Sequence, residues 1–171
     1  KDLKKAFELY ILGANQGNQS AQNNLGYMYQ HGKGTQKNLE KAFELYILSA
    51  NQGNGSAQAN LANMYHHGTY VEKDLKKAFE LYTLSANQGS AIAQNNLAYM
   101  YNHGQGTTIN LEKSLELYTL SANQGDAVAQ YNLAYMYKIL EKYEEAEIYF
   151  KMAIENGDLQ AKENIKNLPK K

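Results

Sequence analysis

Residues 18–53 read NQSAQNNLGYMYQHGKGTQKNLEKAFELYILSANQG, and most of the chain is a variant of this stretch. The string AFELY that begins at Ala6 recurs at Ala42 and Ala78, and as SLELY at Ser114. The string AQNNLGYMY at Ala21 returns with small changes at Ala57, Ala93 and Ala129. Both recur every 36 residues. A fixed period of this length marks a stacked array, in which no unit buries its hydrophobic face without its neighbours.

Within the period, capping residues delimit two amphipathic helices. The first class, A, follows Asn18, Asn54, Ser90, Asp126 and Asp158, all residues whose side chains accept orphan backbone N–H groups. These helices are expected over about 19–31, 55–67, 91–103, 127–139 and 159–168. The second class, B, follows Asp2, Asn38, Asp74 and Asn110, and is expected over about 2–15, 38–51, 74–87, 110–123 and 143–155. Glycines stand where both classes should stop: Gly32, Gly68 and Gly104 after A, and Gly17, Gly53, Gly89, Gly125 and Gly157 after B. In helix A, Ala21, Asn24, Leu25, Met28 and Tyr29 fall on one face; in helix B, Leu39, Ala42, Phe43, Tyr46 and Ala50 do, widened by Leu45 and Leu48. Phe43 is read as core. The expected fold is all-α, an α/α solenoid of antiparallel helix pairs with about ten helices.

The chain therefore divides into a half repeat over 1–17, full repeats over 18–53, 54–89 and 90–125, a shorter unit over 126–157 and a C-terminal capping helix over 158–171, read as one array. The short unit lacks the loop that follows helix A elsewhere, carries Lys142 at a capping position, and has Glu147 where others have Phe43 or Phe79. The chain opens inside a repeat, on Lys1-Asp2-Leu3, and reads as a piece of a longer array whose first B helix is uncovered. A structural or self-associating array without a dedicated peptide groove, stacking through that helix, is the alternative expectation.

Composition narrows the function. Lysines, with no arginine, balance the acids at 17 each, so the formal charge is zero. That lacks the basic stripe of a nucleic-acid binder. No apolar run reaches the roughly 18–20 residues of a spanning helix, so no membrane insertion is expected. With no cysteine there is neither disulfide nor thiolate chemistry, which fits a reducing compartment such as the cytoplasm. No motif brings together a nucleophile, base and acid, and no cofactor or metal site is expected. His31, His67 and His103 end A helices at a spacing that is no metal signature.

The pattern A-x-x-N-L-[AG]-x-M-Y-x-H-G followed by L-x-K-A-F-E-L-Y-x-L-S-A-N-Q-G resembles the Sel-1-like repeat family over residues 1–137, and the last unit is closer to an ordinary tetratricopeptide repeat. The resemblance implies a right-handed superhelix with A helices lining the concave face, and a role as a scaffold or adaptor that binds proteins or peptides.

Residues repeated in every unit are most simply explained by the fold, whereas those that vary are free to encode a partner. Asn24, Asn60, Asn96, Asn132 and Asn164 recur within the apolar stripe and are expected to form a ladder between helices, because buried amides must be hydrogen-bonded. A second A-helix stripe varies: Asn23, Tyr27, Gln30 and His31; then Asn63, His66 and His67, with Ala59; then Asn95, Tyr99, Asn102 and His103; then Tyr131, Tyr135 and Lys138, with Ile139. It is neutral, aromatic and amide-rich, suited to peptide N–H and C=O groups. These residues are the expected partner-binding groove.

Overall fold

A computed structural model describes residues 2–169 of the protein, and among them there are ten α-helices and no strand. The helices are α1 (Leu3–Asn15), α2 (Gln19–His31), α3 (Leu39–Asn51), α4 (Gly55–His67), α5 (Leu75–Asn87), α6 (Ala91–His103), α7 (Leu111–Asn123), α8 (Ala127–Ile139), α9 (Tyr143–Glu155) and α10 (Ala161–Lys166). Odd-numbered helices are the B class and even-numbered ones the A class. They gather into two compact units, one ending at Gln88 and one beginning at Gly89. In the first, α1 to α5 pack each on the next; in the second, α6 to α10 do the same.

Local chemistry sets the helix ends. The side chains of Asp2, Asn18, Asn38, Asn54, Asp74, Ser90, Asn110 and Asp126 each accept the N–H three residues on, at 2.7–3.4 Å. At the other end, Gly32, Gly68 and Gly104 take left-handed φ values of 66°, 68° and 64°. The last helix departs from expectation. It starts at Ala161, because the Asp158 carboxylate accepts the Gln160 N–H at 2.9 Å in a turn, so the helix has no side-chain cap. In α9 the cap is likewise missing at Lys142, while Glu147 pairs with Lys151 at 2.6 Å on an exposed face.

Packing also redistributes the core expected on helix B. Ala42, Tyr46, Ala78, Tyr82 and Tyr118 are buried to within 2% of completely, and Phe150 takes the tyrosine's place in α9. Phe43 is only half-buried, with its ring edge-on to Tyr65 at 5.7 Å, and Leu48 faces outward. The tyrosine three residues beyond the phenylalanine is thus the innermost aromatic of each B helix. Polar bonds recur at a fixed offset beside it. Ser49 and Ser85 donate to the carbonyls of Gln19 and Gly55 at 2.7 and 2.8 Å, and Ser121 to that of Ala91 at 2.8 Å. Each joins the end of a B helix to the start of the A helix before it.

The loop between A and B folds back over the preceding B helix. At Gly34, with φ 73°, a Cβ would stand 2.4 Å from the Leu3 carbonyl oxygen. Gly34→Ala combines that clash with a left-handed backbone, and should destabilise the protein by about 2 kcal/mol or more in urea denaturation followed by circular dichroism.

Candidate functional site

The variable stripe lies along the A helices, and it divides into residues turned inward and residues turned outward. Its first positions are held by the amide ladder. Asn60 donates to the Asn23 carbonyl oxygen at 2.9 Å, and Asn132 to that of Asn95 at 3.0 Å. Asn164 donates to the Tyr131 hydroxyl at 3.2 Å. Each rung therefore joins a ladder residue to the stripe residue of the preceding A helix. Asn95 is buried, and Asn23 and Tyr131 are half-buried; Ala59, at the same position, has no amide to offer and is buried too.

The next layer rests on the buried tyrosines of helix B. The Tyr46 hydroxyl donates to Gln30 Oε1 at 2.7 Å. The Tyr82 hydroxyl is hydrogen-bonded with Asn63, and its ring lies 6.4 Å from that of His66. Burial pushes the Tyr82 phenol up to about 12, outweighing the lowering effect of the Asn63 hydrogen bond. It pushes Tyr46 and Tyr118 up as well, and the neighbouring Tyr27 and Tyr99 hydroxyls add to the effect. These phenols stay neutral at physiological pH. Tyr46, Tyr82 and Tyr118 form the floor of the stripe, a role that reading them as apolar core residues had missed. The signal was the retention of Tyr, not Phe or Leu, in the AFELY string, since a buried hydroxyl requires a partner.

The outermost layer is aromatic. Tyr27, Tyr99 and Tyr135 are 40%, 37% and 46% exposed. Tyr27 lies against the His31 ring at 4.3 Å and Tyr99 stacks on His103 at 4.0 Å, one helical turn apart. His103 is fixed further by its Nδ1, 2.9 Å from the Tyr99 carbonyl oxygen. Lys33 donates to the Tyr27 hydroxyl at 3.0 Å, and the Lys138 ammonium stands 5.9 Å from the Tyr135 ring centroid. Asn102 is half-buried beside His103. In α4 the pattern changes: Asn63, with no ring, takes the tyrosine's place, and His66 meets His67 edge to face at 4.7 Å.

No group of three or more His, Cys, Asp or Glu side chains suited to a metal ion occurs among the described residues, and no helix among them is long and apolar enough to cross a membrane. What the stripe can do is present aromatic faces above amides already hydrogen-bonded to the Tyr46 and Tyr82 phenols or to the ladder.

Antiparallel helix pairs in sequence order, with the same contacts repeated every 36 residues, define an α/α repeat protein. The chain matches the Sel1 repeat over residues 1–18, 19–54, 55–90, 91–126 and 127–158, and it belongs to that family. Among solved structures it is similar to a Sel1 repeat protein from Oxalobacter formigenes, at 31% identity and TM-score 0.85, over 96% of this chain and 69% of that one. It is also similar to a protective antigen with an SLR fold present in uropathogenic Escherichia coli strains, at 34% identity and TM-score 0.91; there it spans 97% of its own length but 36% of the other chain. Cysteine rich protein B of Helicobacter pylori, at 23% identity and TM-score 0.59 over 75% of this chain and 92% of that one, shares the fold. Proteins with curated descriptions give no match. Sel1 repeat proteins are generally non-catalytic scaffolds that bind other proteins.

Two measurements test the layers of the stripe. Tyr46→Phe leaves Gln30 without its donor and should cost about 1 kcal/mol of stability in urea denaturation, with helicity unchanged. His67 is held below the ordinary histidine value by burial first, then by His66 and Lys73. The unfolded chain therefore binds the proton more tightly, and stability should fall as pH drops through about 6.5. Thermal melts between pH 7.5 and 5.5 should show that fall, and His67→Gln should make it shallower.

Proposed function

We propose that this protein is a non-enzymatic scaffold that holds a peptide or protein segment along the variable stripe of its A helices. The observation that carries this reading is the outward placement of Tyr27, Tyr99 and Tyr135 on helices whose other large side chains point mainly inward, each beside a ring or an ammonium group that restrains it. An immobilised tyrosine ring supplies contact area at little further entropic cost. Variation supports the same reading. The frame residues repeat from copy to copy, while the stripe runs through Tyr27, Asn63, Tyr99 and Tyr135 at one position and Gln30, His66, Asn102 and Lys138 at another.

Two of these tyrosines lie in the second unit and are removed together without touching the core. Peptides selected on the wild-type protein from a displayed random library should lose binding by about tenfold or more on the Tyr99→Ala, Tyr135→Ala double variant, since two aromatic anchors contribute on that scale. Fluorescence anisotropy measures the loss, and circular dichroism checks that the helices remain. Selected peptides that bind both proteins equally would place recognition elsewhere.

A further inference from the structure

The repeats differ most in the loop after helix A, and the difference opens a cavity. In the first repeat the loop glycine, Gly34, lies over the start of α1. In the second, the same position is Tyr70, which keeps the left-handed backbone at φ 71°. A bulky residue is unfavourable there, so other contacts must hold it. Its ring lies 5.6 Å from that of Phe43, and its hydroxyl is hydrogen-bonded to the Glu40 carboxylate. In the last unit the loop is shortened to Leu140-Glu141-Lys142. The corresponding ground on α7 has lost its cover, and a cavity of about 400 Å³ stands there, lined by Leu111, Glu112, Leu115, Met136, Ile139 and Leu140 together with Asn102.

Two residues of the lining, Glu112 and Leu115, stand where Glu40 and Phe43 meet Tyr70 on α3. Leu111, Glu112 and Leu115 are the counterparts of Leu39, Glu40 and Phe43, and Met136 is that of Met64. Leu111 is 53% exposed and Ile139 67%, so this apolar ground is open to solvent. Its volume falls in the range of small-ligand pockets, roughly 300–1,000 Å³.

We propose that this cavity is a docking pocket for a tyrosine side chain presented by a loop of a partner protein, with the ring over Leu111 and Leu115 and the hydroxyl donating to Glu112. The protein shows the occupant's chemistry within its own chain, since Tyr70, itself half exposed, lies over Phe43 and Glu40, the equivalent residues on α3. The acceptors point the same way. The Tyr70 phenol, neutral at physiological pH, faces the carboxylates of Glu40 and Glu44. Glu112 and Glu116 stand at the matching positions on α7. Two carboxylates accept a hydroxyl and repel a phosphorylated one. This pocket goes beyond the stripe, although Asn102 belongs to both.

The probe is the protein's own loop, Gly-Thr-Tyr-Val-Glu-Lys, with both ends blocked, titrated into the full chain carrying isotope-labelled Leu, Ile and Met methyl groups. The peptide should shift the methyl signals of Leu111, Leu115, Met136 and Ile139 saturably. The Phe version should bind about tenfold more weakly, the scale of one hydrogen bond to a charged group; the phosphotyrosine and Ala versions should cause no shift. Glu112→Gln, at an exposed site, should bring the Tyr and Phe peptides closer together. The Tyr99→Ala, Tyr135→Ala variant should bind the Tyr peptide as the wild type does, which separates this pocket from the stripe. No shift with the Tyr peptide, or equal shifts with the Ala peptide, would overturn the proposal. So would concentration-dependent broadening of these methyls in the protein alone, which would make the occupant a second copy of the chain.

Discussion

Helices of 13 residues have little stability of their own in water, so the fold depends on how closely each B helix lies against the A helix before it. The contact is made with small residues. Ala42, Ala78 and Ser114 are completely buried, and at Gly26 a Cβ would come within 2.9 Å of the Tyr46 ring and 3.3 Å of the Ala42 carbonyl oxygen. That approach brings one helix's side chains within reach of the other's backbone. The Ser114 hydroxyl donates to the Ala98 carbonyl at 2.9 Å, and Ser49, Ser85 and Ser121 bridge the far end of each pair. With the backbones this close, the Tyr46 ring is confined and its hydroxyl emerges beneath the stripe, at Gln30. Frame and surface are joined through that bond.

The helices and their ends were legible because each rests on local chemistry repeated several times: a capping oxygen, a left-handed glycine and an apolar face of period 3.6. Where expectation and structure part, the reason is tertiary. Phe43 and Tyr46 both lie on the apolar face, and periodicity does not rank them; the approach at Gly26 buries the tyrosine and leaves the phenylalanine at the edge, under the loop. Leu48 belongs to the same pattern yet faces outward. The asparagine ladder was visible as a repeated amide in an apolar stripe. Its acceptors were not, because Asn23 and Asn95 lie 37 residues away in sequence on the neighbouring A helix. The last helix starts late because Asp158 turns its carboxylate on Gln160, a choice between cap and turn that residue type alone leaves open.

Near-identical units make each departure informative. The buried tyrosine of α3, α5 and α7 becomes Phe150 in α9. In the same unit the position of Gln30 is Lys138, which lies over the Tyr135 ring and offers no carbonyl oxygen. Loss of the acceptor and loss of the hydroxyl occur together, as expected when an unpaired buried hydroxyl is costly. The loop behaves similarly. Where it carries Tyr70, the ring finds Phe43 and the hydroxyl finds Glu40; where the loop is shortened, Leu111 and Leu115 stand open beside Glu112.

This coupling limits how the stripe can recognise anything. Gln30 and Asn63 are bonded to buried phenols, and Asn23 and Asn95 to the ladder. A ligand that pulled one of these amides outward would strand a buried polar group, at a cost of about 1–3 kcal/mol. A partner able to bind must leave the amides in place and meet the surface above them. On the proposed reading it meets the faces and edges of Tyr27, Tyr99 and Tyr135, steadied by His31 and His103 and by the ammonium groups of Lys33 and Lys138. On that reading, affinity along the stripe would come mainly from apolar contact with the rings. The same reasoning separates the two kinds of substitution. Changes at Tyr46 or Asn60 act through the frame, whereas on the proposed reading changes at Tyr99 or Tyr135 act mainly on what the frame presents.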